Sequence, residues 1–265
     1  MEKKYVISVK YSPYEREALY TTDIEDIKEN DYVTVITERG QEIGKVVGSK
    51  KDASSFPGGK NISPIMSIPS MDEIRLFENN EKKGKDAIKV AKEEAKVLGL
   101  DMNFLSAEYL LDRSKVIITY TAEGRIDFRE LLKTLSSRLH TRIEFKQIGS
   151  RDEARAIGGL GPCGRECCCA KFLKNFDGIS INRAKNQQLT LNNAKLSGTC
   201  GKLMCCLLFE DETYTKESKD FPAIGSSFKL DGSEYKVLGF NIVSRQVKCM
   251  SKEGVVFIDL KDIKK

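Results

Sequence analysis

Leu105-Ser106-Ala107-Glu108-Tyr109-Leu110-Leu111-Asp112-Arg113-Ser114-Lys115-Val116-Ile117-Ile118-Thr119-Tyr120 decides how the middle of the chain folds. Two β-prone runs, Leu105 to Leu111 and Val116 to Tyr120, flank the polar stretch Asp112 to Lys115, which is the pattern of a β-hairpin. Upstream, Ser70-Met71-Asp72-Glu73 has the form of a capping box, in which the serine oxygen accepts from an N–H three residues on and the glutamate reaches back. The helix it opens carries Ile74, Phe77, Ile88, Ala91, Ala95 and Leu98 on one face and stops at Gly99. Downstream, Phe128, Leu131, Leu132, Leu135 and Leu139 mark a second amphipathic helix, followed by the strand Arg142 to Lys146. The order αββαβ over residues 61–150 predicts a sandwich with the helices on one face of a mainly antiparallel sheet.

The flanks differ from this centre. Residues 1–60 read as a β-rich unit: Tyr5 to Lys10 and Tyr32 to Ile36 alternate, and Arg39-Gly40 turns the chain into Glu42 to Val47. Ser54-Ser55-Phe56-Pro57-Gly58-Gly59 has linker composition. Residues 151–220 are rich in cysteine and show little periodicity. From 221 to 265 short strands return at Ser227 to Leu230, Tyr235 to Leu238, Gln246 to Cys249 and Val255 to Ile258, with Asp231-Gly232 as a turn. That spacing predicts a small β-barrel-like unit, so the whole chain is expected to be α+β and multi-domain.

Composition removes several classes of function. The 265 residues are 40% hydrophobic and 31% charged, ordinary for a globular protein, and no apolar run approaches the ~18 residues of a membrane span. The first residues alternate like a strand and lack a signal peptide's apolar block, which points to the cytoplasm. A reducing compartment disfavours structural disulfides, leaving metal binding or redox chemistry to explain clustered thiols. Seven of the eight cysteines lie between Cys163 and Cys206. His140, the only histidine, reads as a polar residue at a helix end. Histidine-based triads, cysteine–histidine pairs and histidine-ligated hydrolytic zinc thus lose a required group, and no catalytic residue is assigned.

Charge follows the cysteines. From Arg151 to Phe209 nine Lys or Arg stand against four Asp or Glu, an excess of +5 that equals the net charge of the whole chain. Such a segment offers a footprint for RNA, with Lys171, Lys174, Arg183 and Lys185 as the candidate face, or a counter-charge for anionic sulfur.

The chemistry sits in a repeat. Gly161-Pro162-Cys163-Gly164-Arg165-Glu166-Cys167-Cys168-Cys169 and Gly198-Thr199-Cys200-Gly201-Lys202-Leu203-Met204-Cys205-Cys206 share glycine, cysteine, glycine, a cation and a closing Cys-Cys pair at one spacing. Each copy resembles a metal knuckle: a thiolate, a glycine that permits a tight turn, and a second thiolate brought back. Arg165 and Lys202 are placed to lower thiol pKa values. Two converging knuckles suit zinc or an iron–sulfur cluster, and the long spacing with surplus thiols leans toward iron–sulfur or a site shared with a partner. Cys167 faces Met204 in the other copy and is set aside, and Cys249 alternates with polar neighbours as a buried free thiol.

Three further stretches accompany the repeat: Thr121-Ala122-Glu123-Gly124-Arg125-Ile126-Asp127-Phe128-Arg129-Glu130-Leu131, Phe145 to Ala154, and Gly158-Gly159-Leu160 ahead of the first knuckle. With Leu196-Ser197 leading into the second, they resemble the polymerase-suppressor-protein C-terminal domain family, from about Tyr5 to the C-terminal unit. The resemblance implies a non-enzymatic cytoplasmic adaptor that joins two small helical partners, RicA- and RicF-like, and directs ribonuclease Y to particular transcripts, touching sporulation, competence and biofilm formation. It implies an iron–sulfur cluster, of the 4Fe-4S kind, on Cys163, Cys168, Cys169, Cys200 and Cys205, with Cys206 as a further ligand. Cys167 departs from the family pattern. A zinc-stabilised RNA-binding protein acting alone and a thiol oxidoreductase are the alternatives, the latter lacking the C-x-x-C of thioredoxin-like enzymes.

Overall fold

The computed structural model describes residues 4–53, 62–173 and 178–263, and the expected linker at Ser54 to Gly59 lies outside them. The chain divides into two compact units, Met1–Ile157 and Gly158–Lys265. The first opens with β1 (Tyr5–Lys10), β2 (Ala18–Thr22), β3 (Tyr32–Thr37) and β4 (Gly40–Asp52), an antiparallel sheet in the order β2-β1-β4-β3. Their alternating apolar residues converge on one core of Ile7, Val9, Tyr20, Val33, Val35 and Val46.

Then follow α1 (Met71–Val97), β5 (Asn103–Tyr109), β6 (Lys115–Thr121), α2 (Arg129–Leu139), β7 (Arg142–Gln147) and α3 (Ser150–Ile157). The capping box forms: the Ser70 hydroxyl accepts from the Glu73 N–H at 3.3 Å, and the Glu73 carboxylate accepts from the Ser70 N–H at 2.7 Å. Both long helices supply one core, in which Ala87, Ala91, Ala95, Leu131 and Leu135 meet Phe104, Ala107, Val116, Ile118 and Tyr120. α1 comes unusually close to β5, since a Cβ on Gly84 would stand 2.1 Å from the Ala107 carbonyl oxygen. Asn80 fastens the same helix to the hairpin turn, donating to the Leu110 carbonyl at 3.0 Å and accepting from Arg113 Nε at 2.7 Å.

The central sheet is mixed rather than mainly antiparallel. β5 and β6 pair antiparallel across the hairpin, but β7 returns through α2 and pairs parallel to β6, Lys115 facing Arg142 and Tyr120 facing Gln147. A helix between two strands brings the second back in the direction of the first, which a count of strands alone does not reveal. His140 closes α2 in the left-handed conformation, φ 49°, consistent with a helix-end role. Its backbone N–H donates to the Ser136 carbonyl.

Charges join the N-terminal sheet to this region. Arg39, on the β3–β4 turn, grips Glu42 at 2.6 Å and lies 3.5 Å from Glu108 on β5, whose carboxylate also accepts from Ser12 and Ser106. Burial pushes the Glu108 carboxyl above its ordinary value, against the lowering by Ser12, Arg39 and Ser106.

The second unit holds the short helices α4 (Cys168–Lys171), α5 (Asn182–Asn186) and α6 (Asn193–Leu196), then α7 (Cys205–Ser218). It ends with β8 (Ser227–Leu230), β9 (Ser233–Asn241), β10 (Gln246–Ser251), β11 (Gly254–Asp259) and α8 (Leu260–Ile263). The four strands form an antiparallel meander in chain order, and among the described residues nothing pairs β8 with β11. The barrel-like expectation therefore resolves as an open sheet. Cys249 is wholly buried in its core with Phe221, Val237, Val247 and Leu260.

Candidate metal centre

The sequence repeat is a repeat of structure. In the first knuckle the Gly161 N–H donates to the Arg165 carbonyl at 2.8 Å and the Gly164 N–H to the Gly161 carbonyl at 3.0 Å. In the second, Gly198 donates to Lys202 at 2.9 Å and Gly201 to Gly198 at 3.0 Å. Gly164 and Gly201 both have φ 74°, a left-handed turn that glycine adopts without strain. A one-residue bridge closes each loop, Leu160 with Glu166 and Ser197 with Leu203. Each chain then enters a helix at the first cysteine of its Cys-Cys pair, Cys168 in α4 and Cys205 in α7.

The equivalence runs further than the cysteines. Phe172 and Phe209 occupy matching places, four residues beyond Cys168 and Cys205, and their rings meet edge to face at 5.0 Å. The sequence reading stopped at the Cys-Cys pairs and missed this aromatic clasp, although both phenylalanines were legible at the repeat spacing. α5, α6 and α7 meanwhile enclose a small core of Ala184, Leu196 and Leu207, with Leu203 and Met204 packed against it.

Thiols of the two halves come near one another, Cys169 near Cys167 and Cys200, and Cys206 near Cys168. Cys163 is exposed, Cys168, Cys200, Cys205 and Cys206 are half-buried, and Cys167 and Cys169 are buried. The Cys167 Sγ lies 3.7 Å from the Thr199 hydroxyl in the other knuckle. Burial pushes the Cys169 thiol up, with further upward contributions from Cys167 and Cys200. Burial likewise raises Cys206, followed by Glu210 and Cys168. These influences oppose the lowering anticipated from Arg165 and Lys202, which project into solvent. Cys167, set aside in the repeat alignment, stands among the other thiols. Among the described residues no three His, Cys, Asp or Glu side chains converge closely enough to hold an ion as they stand. The soft donor set suits zinc or iron–sulfur chemistry, and filling a coordination shell requires the thiol side chains to draw together.

Two family models match the chain: the PSP1 C-terminal conserved region over residues 63–148, and the third domain of PSP1-like proteins over 178–221. Stage 0 sporulation protein YaaT of Bacillus subtilis (strain 168) is 38% identical over 232 residues, 87% of this chain and 84% of that protein. The chain belongs to the PSP1 family. An uncharacterized protein of Schizosaccharomyces pombe (strain 972 / ATCC 24843) is 28% identical over 141 residues, 43% of this chain and 19% of its own length. No solved structure matches. The first PSP1 segment spans α1 to β7, and the other takes in α5 to α7 with the second knuckle.

The basic segment is less cationic than its sequence count. Arg183 is held by Asp211 of α7 at 2.6 Å, and Asn186 donates to the same carboxylate at 3.2 Å. Lys171 stands 3.8 Å from Glu166, Lys185 is exposed, and Lys174 lies outside the described residues. Continuing from Phe209 to Asp220 adds five carboxylates and two lysines, which cuts the local excess from +5 to +2. Among the described residues no helix is long and apolar enough to cross a membrane.

Proposed function

We propose that this PSP1 protein is a non-enzymatic adaptor whose paired knuckles carry an iron–sulfur cluster, and that with two small helical partners it directs ribonuclease Y to chosen transcripts. The duplicated knuckle carries the reading: two loops of one hydrogen-bond pattern each present thiols on the same kind of turn, a way to supply soft donors in matched pairs. Similarity to a stage 0 sporulation protein supports a role in the same developmental setting, and we extend that role to competence and biofilm formation.

Cys163, Cys168, Cys169, Cys200, Cys205 and Cys206 would hold the cluster. When bound, it supplies an oxidation-sensitive bond network between the halves. The glycine turns fix where Cys163 and Cys200 emerge, and α4 and α7 carry the other thiols on a framework clasped by Phe172 and Phe209. Exposed Cys163 leaves one side open to a partner's ligand.

The test is anaerobic purification of the full chain, alone and with its co-expressed partners, with iron and acid-labile sulfide measured, alongside transcript ends mapped in a deletion strain. Iron, sulfide and altered ends are expected. Stoichiometric zinc without sulfide, or unchanged ends, would overturn the corresponding half of the proposal.

A further inference from the structure

The C-terminal meander buries one face and leaves the other bare. Val237, Val247 and Cys249 point into the core with Phe228, Val256 and Ile258 against them, while Lys229, Lys236, Leu238, Lys248, Met250, Val255 and Phe257 are exposed. Phe257 is 63% exposed, a large aromatic surface for a side chain on a regular strand.

Register turns these residues into a pattern. Lys236 faces Ser227 on one side and Met250 on the other, Met250 faces Val255, and Lys248 faces Phe257. Lys229 lies two residues along β8 from Ser227, and Lys248 lies two residues along β10 from Met250, toward the opposite end of the sheet. The three lysines therefore step diagonally over three neighbouring strands, about 7–8 Å from Lys229 to Lys236 and on to Lys248 across the bulge between Lys248 and Cys249. Met250, Val255 and Phe257 form a ledge beside this line. None of the three lysines has an ion pair among the described residues. Carboxylates mark the ends, with Glu234 opposite Lys229 and Asp259 beyond Phe257.

A row of unpaired cations beside an exposed ring matches the needs of a single nucleic-acid strand. Phosphates follow the cations, and an unstacked base of any sequence can lie on an aromatic face. We infer that the outward face of β8–β11 binds single-stranded RNA, its phosphates along Lys229, Lys236 and Lys248 and a base on Phe257. The inference rests on the RNA-processing reading above. It moves the RNA contact away from the cysteine-rich segment, where Arg183 and Lys171 already face carboxylates.

The test uses the full chain and a fluorescein-labelled oligouridylate, with binding followed by anisotropy. Three phosphate contacts predict an affinity that falls about 18-fold between about 50 and about 200 mM salt. Replacing Lys229, Lys236 and Lys248 together by Gln should flatten most of that dependence and weaken binding by about tenfold or more at the lower salt. Phe257→Ala should also weaken binding about tenfold, whereas Phe257→Tyr keeps it. These side chains face solvent, so unchanged thermal melting separates loss of the surface from loss of the fold.

Wild-type affinity in the triple variant would overturn the inference, as would a wild-type chain that captures an acidic peptide but no oligouridylate. Transcript ends in the deletion strain judge the parent reading separately. Altered ends with undiminished RNA affinity in the triple variant would sink this surface alone. Unaltered ends with the predicted loss of affinity would sink the adaptor role alone.

Discussion

The central αββαβ region and the paired knuckles are ordered by different physics. In the centre, two amphipathic helices and three strands bury a continuous core of aliphatic and aromatic side chains. Around the knuckles the enclosed core is small, Ala184, Leu196 and Leu207 with the buried thiols Cys167 and Cys169, and the loops take their shape from backbone hydrogen bonds around left-handed glycines. The centre therefore resists local change through packing. The knuckles instead use backbone geometry to present thiols.

The sharpest way to break this contrast is to open a cavity in each region. Leu131→Ala, at a fully buried position on α2, should lower stability by about 2–5 kcal/mol in chemical denaturation. Leu207→Ala should fall at the low end of that range, about 2 kcal/mol, because its smaller surroundings can close in. Equal losses would show that both regions are packed alike. Gly84→Ala should cost about 1–3 kcal/mol by forcing α1 off β5, although alanine is the better helix former by about 1 kcal/mol. A stabilised variant would contradict the close approach.

Gly164→Ala and Gly201→Ala meet no atom within 4 Å, so their cost should be confined to the left-handed backbone, about 1–2 kcal/mol each. The two melting shifts should agree if the knuckles are structural duplicates, and a large disparity would separate them. The smallest effect expected is at Glu108. Burial raises its carboxyl from the ordinary 4.5, so the folded state holds the proton more tightly than the unfolded chain. Its contribution to stability is then greatest below 4.5 and declines as pH rises through the raised value. Glu108→Gln should remove that decline, and parallel stability profiles for variant and wild type would show that Glu108 does not titrate differently on folding.

What could be read in advance follows the same division. The hairpin and both long helices were legible because their side chains repeat at the periods of strand and helix, and the Ser70 capping box is a local pattern. Gly84 and Asn80 were not legible, since each is explained by a partner distant in sequence, Ala107 for one and Leu110 with Arg113 for the other. The knuckles were legible through internal repetition. The position of Cys167 among the other thiols was hidden, because alignment with Met204 compares chain positions and not neighbours in space. The basic face misled for a related reason: the count ended at Phe209, and Asp211, just beyond it, folds back onto Arg183.

One measurement bears most directly on the claim that the two knuckles make a single site: iron per chain in anaerobically purified Cys163→Ser and Cys200→Ser, each compared with wild type. The account predicts that either substitution removes the iron almost completely. Retention of half the iron in each variant would mean two independent sites and would contradict it.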